Sequence, residues 1–344
     1  METDALPHPV FHPWRRIETQ NLRRMTVALP DRMVFNAVDE HILRTLLYYD
    51  IFHYPLRADE VHRFLGAPLE HEDYIYSRLR VLAAHRYISQ FGDFFGIQPS
   101  ESDAVRRAKG NAEAERLTVL ARKKARLIGS FPFVRGVMAS GSLSKGYMDK
   151  KSDLDFFIVT APGRLWIART LLVMYKRIFL FNSHKYFCVN YFVDEQHLEI
   201  EEKNLFTATE LATALPLYGP EHYHNLLKAN PWLINFFPNF RPRTIEGVAP
   251  SKRRGLKKIL EAFFNLAPFS RLNHYFKKMT LQRWEKLYRR DYPDADFKVA
   301  FKTKDHASKN HPRNYQRKVM DLYADKVKAF GLSPLRSCAE EPGK

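Results

Sequence analysis

Between Val134 and Val159 an apolar run ends in Ser140-Gly141-Ser142, and further on Asp153 and Asp155 alternate with Leu154, Phe156 and Ile158. A strand that gives way to small residues can aim backbone N–H groups and hydroxyls at an anion, and phosphate is the natural guest of such a turn. Side chains alternate along a strand, so Asp153 and Asp155 leave one face while Leu154, Phe156 and Ile158 enter the core. Two hard oxygen ligands on one rigid strand suit Mg²⁺, which bridges carboxylates to substrate phosphates. Lys145, Lys150 and Lys151 lie between turn and carboxylates, at reach of a triphosphate. No Gly-Lys-Ser or Gly-Lys-Thr follows at P-loop spacing, which argues against a Walker-type NTPase.

Ser140-Gly141-Ser142 followed by Gly146 and Ser152-Asp153-Leu154-Asp155 resembles the signature of the DNA polymerase β-like nucleotidyltransferase superfamily, over about residues 115 to 215. The resemblance implies transfer of a nucleoside monophosphate from an NTP, ATP first among them, to an acceptor hydroxyl. Pyrophosphate would leave, and Mg²⁺ (or Mn²⁺) would be held by Asp153 and Asp155. It further implies that Ser140, Gly141, Ser142, Lys145 and Ser152 seat the nucleotide. The acceptor is left open among a small molecule, a protein and an RNA end.

Members of that superfamily add a third carboxylate from a neighbouring strand. The matching slot here falls in Phe187-Cys-Val-Asn-Tyr-Phe192, where Asn190 stands in place of an acid. An amide brings no charge and takes no proton from an attacking hydroxyl at neutral pH. Glu199 and Glu201 share a face if His197-Leu-Glu-Ile-Glu201 is extended, so either could restore the charge, with Glu199 ranked first.

The elements that must carry these residues follow from periodicity. Residues 1–33 hold several prolines and arginines without a period and read as a flexible arm. Residues 34–100 read as three short helices (Glu40 to Tyr49, Ala58 to Leu65, Glu70 to Ala84) and a hairpin turning at Phe91-Gly92-Asp93-Phe94, an order that resembles a winged helix. Glu70, Glu72 and Asp73 open the third helix, where a DNA-reading helix would approach phosphates, so a structural or protein-binding role is preferred to sequence-specific DNA binding. Residues 101–240 read as a leading helix, broken near Gly110, and an α/β (α+β) nucleotidyltransferase core with a mixed sheet. Within it 207 to 228 is expected to be helical. Residues 241–344 read as a basic helical region, with helices near Leu256 to Leu266, Leu281 to Arg289 and Asn314 to Phe330 and a polar loop through His306, Lys309 and His311.

Charge sets the class of partner. Of 344 residues, 55 are Lys or Arg and 38 Asp or Glu, giving +17, so anionic partners such as NTPs, nucleic acid or a membrane surface are favoured electrostatically, and charge alone does not choose among them. Two cysteines, Cys188 and Cys338, make no disulfide framework and no cysteine zinc site, as suits a reducing cytoplasm. The apolar stretch around Leu171 to Phe181 is interrupted by Lys176 and Arg177 and is too short to span a bilayer, so no membrane partner is expected. Two other function classes stay open beside the enzyme: a non-catalytic nucleotide-sensing DNA-binding regulator, and an RNA-binding scaffold.

Overall fold

The computed structural model describes residues 34–333 except 184, 253–254, 267–270 and 312–313. The arm assigned to residues 1–33 and Cys338 lie outside the described residues.

The chain opens with α1 (Ala37–Asp50), α2 (Ala58–Arg63) and α3 (Glu72–Ala84), then the antiparallel hairpin β1 (Ser89–Phe91) and β2 (Phe94–Gly96). Asn36 starts α1 through a capping box with Asp39: the Asn36 side chain accepts from Asp39 N–H, and Asn36 N–H donates to the Asp39 carboxylate. Asp39 is fully buried and receives both arms of the Arg78 guanidinium, at 2.8 and 2.7 Å. The pair ties α3 to α1. It also commits Arg78 to an internal bond, which leaves Arg80 as the exposed basic residue of α3.

A helix of 29 residues, α4 (Glu101–Gly129), leads into β3 (Val134–Ser140). The expected break at Gly110 does not occur. Glycine serves packing there, because a Cβ would lie 2.2 Å from the Tyr147 ring. Then come α5 (Gly141–Ser144), β4 (Asp155–Thr160), α6 (Leu165–Phe179), β5 (Cys188–Asp194), α7 (Leu205–Thr213), β6 (Leu215–Tyr218), α8 (Pro220–Ala229) and α9 (Leu233–Phe236). The last third holds α10 (Gly255–Phe264), α11 (Leu272–Tyr288), α12 (Asp294–Ala300), β7 (Ala307–Lys309) and α13 (Tyr315–Ala329).

Five strands form one mixed sheet in the order β6-β3-β4-β5-β7. β4 runs antiparallel to β3 and parallel to β5, and β6 and β7 close the two edges in antiparallel pairing. All six residues of β4 are buried, as its unbroken Phe-Phe-Ile-Val demands of a strand covered on both faces. Val137, Ala139, Phe156 and Ile158 face the layer of α4 and α6, while Met138, Phe157 and Val159 face a second layer made by α1–α3, α7, α8 and α13. One apolar cluster therefore runs from Ile42 in α1 through the sheet to Val327 in α13. No helix of the described residues is long and apolar enough to cross a membrane.

Two elements differ from the sequence expectation. Leu215–Tyr218 is a strand, not the middle of a helix, and Pro216 fits because β6 is a sheet edge where a missing N–H breaks no interior ladder. Ala307–Lys309, expected to be loop, is β7, so the C-terminal region supplies a strand of the sheet rather than helices alone.

Candidate active site

Antiparallel pairing sets Ser140 opposite Asp155, which brings the end of β3 and the turn after it against the first residue of β4. Gly141 has φ +64, and a Cβ there would sit 2.6 Å from Asp155 Oδ2. Only glycine lets the carboxylate approach the backbone so closely. The one-turn α5 that follows is fixed from remote segments. The Tyr54 hydroxyl donates to the Lys145 carbonyl at 2.5 Å, and the Arg243 guanidinium to the Ser144 carbonyl at 2.6 Å. Arg107, stacked 3.7 Å from the Tyr54 ring centroid and paired with Glu60 at 2.6 Å, holds Tyr54 in turn. The N-terminal helices thus position the turn.

Ser142 is fully buried and its hydroxyl has no hydrogen-bond partner. A buried hydroxyl of that kind costs about 1–3 kcal/mol, but Ser142 is not among the residues that line the cavity beside Asp155. Lys145, also buried, pairs with Glu210 of α7 at 2.6 Å and donates to the Gly141 carbonyl at 3.1 Å. Glu210 also accepts from Gly141 N–H at 3.3 Å. Its carboxylate therefore engages two of the donors that the sequence assigns to phosphate. Glu210 was not singled out from sequence, because it lies inside an apolar helix with no motif around it. Its only signal is an acid at an otherwise inward position of α7.

Asp155 and Asp153 are both buried, at 5% and 6% exposure, but they are not equivalent. The strand begins at Asp155, and Asp153 belongs to the irregular segment before it. Asp155 lines a cavity of about 150 Å³ together with Ser140, Gly141, Lys145 and Glu210. The cavity is otherwise walled by Tyr48, Phe157, Tyr191, Phe206, Leu211 and Val319, with Glu202 and Lys309 as further charges. Burial lowers the Lys309 ammonium from its ordinary pKa. Asp153 acts on Lys176 and Cys188, outside that lining. Burial, and then Asp155 and Asp153, push the Cys188 thiol well above its ordinary pKa, which sets both carboxylates beside that sulfur.

Ser152 does not reach the cavity. Its hydroxyl donates to Asp149 at 2.8 Å and accepts from Asp149 N–H at 3.0 Å, so it builds the turn that delivers Asp153.

Asn190 lies against Asp155. β5 pairs Cys188 with Asp155 and Val189 with Phe156, then slips so that Tyr191 faces Phe157. Asn190 is the residue the slip leaves over, and its side-chain amide donates to Asp155 Oδ1 at 2.9 Å. Glu199 and Glu201 do share a face, with Leu198 and Ile200 buried between, but it is the outward face. Glu199 is exposed and pairs with Lys203 at 2.7 Å. Glu201 pairs with Lys302 and Lys304, whose bonds hold its carboxyl below the ordinary range. Neither lines the cavity, so Glu199 does not take the catalytic position expected of it.

Among the described residues no group of three or more His, Cys, Asp or Glu side chains gathers at metal-binding distance. Of the two carboxylates and the amide, Asp155 alone lines the cavity, so a cation there would meet one protein carboxylate and take the rest of its shell from phosphate oxygens or water.

No known protein family, curated protein or solved structure matches this chain.

Proposed function

We propose that the chain is a Mg²⁺-dependent nucleotidyltransferase of the DNA polymerase β-like type, acting in the cytoplasm on ATP or another NTP and an acceptor hydroxyl. The observation that carries this reading is the Gly141 turn, closed so tightly on Asp155 that no side chain fits between them. Ser140, Ser142, Lys145 and the Gly141 N–H would seat the triphosphate once Glu210 releases its two donors. Asp153 and Asp155 would hold Mg²⁺, or Mn²⁺, which supplies neutralisation of phosphate charge when bound. The acceptor hydroxyl would give its proton to Asp155, the named carboxylate that lines the cavity, and its oxygen would form a bond to the α-phosphorus as the bond to the bridging oxygen breaks and pyrophosphate leaves. Holding the reactants in line, with water excluded by the apolar cavity wall, is the protein's share of the rate.

The three helices and hairpin of residues 34–100 are read as a winged-helix-like unit whose task is to wall the cavity with Tyr48 and to brace α5 through Tyr54. DNA reading is disfavoured by the internal use of Arg78.

A second reading, a protein that holds a nucleotide without turning it over, is favoured by the Asn190 amide on Asp155. Incubation of the chain with labelled NTPs and cell extract, with and without Mg²⁺, decides between them. Metal-dependent labelling of an acceptor that Asp155→Asn abolishes supports the enzyme. Binding without labelling, converted to labelling by Asn190→Asp, supports the holder. Neither binding nor labelling removes both.

A further inference from the structure

Helix α10 is mounted inside out. Two of its three charged residues, Lys257 and Glu261, are 5% and 0% exposed, whereas Leu256, Ile259, Phe263 and the following Leu266 are 68%, 65%, 46% and 54% exposed. Specific bonds impose this orientation. Lys257 Nζ donates to the Gly129 and Val134 carbonyls at 2.7 and 2.6 Å, closing off the end of α4 and the start of β3. Glu261 accepts from Phe133 N–H at 2.7 Å and from both arms of Arg135. The two buried residues are one turn apart, so the helix rests on them, and the apolar residues, spaced three, four and three, form a stripe pointing away from the protein.

Exposed basic residues flank the stripe in the chain and lie on the elements next to it. Lys252 precedes α10 and Lys258 lies within it, Arg271 and Lys278 follow on α11, and Arg122, Lys123 and Arg126 are exposed along the end of α4 that Lys257 caps. The acid that α10 itself carries, Glu261, is spent on Arg135.

We infer that this face docks peripherally on an anionic phospholipid surface, the stripe entering the headgroup boundary and the neighbouring basic residues meeting lipid phosphates. An amphipathic helix with Leu, Ile and Phe on one side and basic residues on and beside it is a form that binds in the plane of a membrane, and each basic residue adds attraction to acidic lipid. Other occupants match less well. A second copy of the chain docked through the same face would set two groups of basic residues against each other. Residues 1–33 carry five arginines against four acids and so offer no complementary charge. RNA would satisfy the basic residues but leaves Leu256 and Ile259 without planar partners to stack on. The inference departs from the expectation of no membrane partner, which rested on the lack of a spanning segment. A surface-bound helix needs none.

Flotation of the full chain with vesicles tests it. Vesicles of phosphatidylserine in phosphatidylcholine should carry the protein at low salt, and vesicles of phosphatidylcholine alone should carry far less. The triple variant Leu256→Ser/Ile259→Ser/Phe263→Ser, altered only at exposed positions, should lose about tenfold in bound fraction with an unchanged circular dichroism spectrum and unchanged nucleotide binding. Lys258→Glu/Arg271→Glu should weaken capture by the acidic vesicles and flatten its salt dependence. No capture by acidic vesicles overturns the proposal. Capture that the triple variant leaves intact overturns it as well, and so does salt-sensitive RNA binding in place of vesicle binding. A dimer in light scattering that the triple variant makes monomeric assigns the stripe to a second copy instead.

Discussion

Two pairs of acids stand one residue apart on apolar stretches of this chain, and they meet opposite fates. Asp153 and Asp155 are buried beside Cys188, with an amide and a glycine turn packed on Asp155. Glu199 and Glu201 face outward, each held by lysines. The second pair makes surface ion pairs of the ordinary kind, about 0–1 kcal/mol each. The first pair sets two carboxylates where solvation is poor, with the Asn190 amide donating to Asp155, and it is the pair to which the proposed function gives the cation. The same spacing thus yields a site or a surface, and what lies across from the acids decides which.

The sharpest way to break the contrast is Asp155→Asn. It should abolish metal-dependent nucleotide stabilisation in a thermal melt and cut any transferase turnover by roughly 10³-fold, with the unliganded protein as stable as before or more so, because a buried charge is gone. Next in size is Gly141→Ala. Positive φ and the clash with Asp155 should cost roughly 3 kcal/mol, read by urea denaturation. A variant of parent stability would mean that the turn relaxes freely and is not the rigid seat described.

Cys188 tests the poor solvation around the buried pair. Its thiol stays protonated in the folded chain above the ordinary value of 9.0, so the unfolded chain ionises first as pH rises. Its contribution is complete below pH 9 and is lost above it, by up to about 1.4 kcal/mol across the next pH unit. Cys188→Ala should therefore show a shallower fall in stability between pH 9 and 10 than the parent chain, and equal slopes would mean that burial does not hold the thiol protonated. The smallest effect belongs to Glu199→Gln, expected within about 0.5 kcal/mol of the parent and with nucleotide binding unchanged. A loss of turnover there would reverse the assignment of the two pairs.

What could be read from the chain follows the same division. Long periodic segments such as α1, α6 and α13, and the run Phe156 to Val159, announce themselves because one pattern is repeated over many residues. The Gly-Ser turn is legible too, since few other roles suit those residues between two strands. Glu199 misled because alternation reveals that two residues share a face but not where the face points; that depends on Lys203, Lys302 and Lys304, two of them about a hundred residues away. Glu210 was hidden for the converse reason. Its meaning arises only when α7 is laid over Lys145 and the Gly141 N–H. The short β6 and β7, four and three residues long, contain too little pattern to register and exist because neighbouring strands offer open edges.

The closure of the sheet by β7 and of its outer layer by α13 bears on how the protein is made. Tyr323 of α13 packs on Tyr48 of α1, and Lys326 bonds Asp50, so the first described helix waits for the last. A ribosome delivers the chain from its N-terminus, and α1 to β5 emerge with one flank of the sheet and the apolar side of Tyr48 uncovered. That interval, in which more than a hundred residues are still to be synthesised after β5, is when the nascent chain is most exposed to aggregation and most in need of a chaperone.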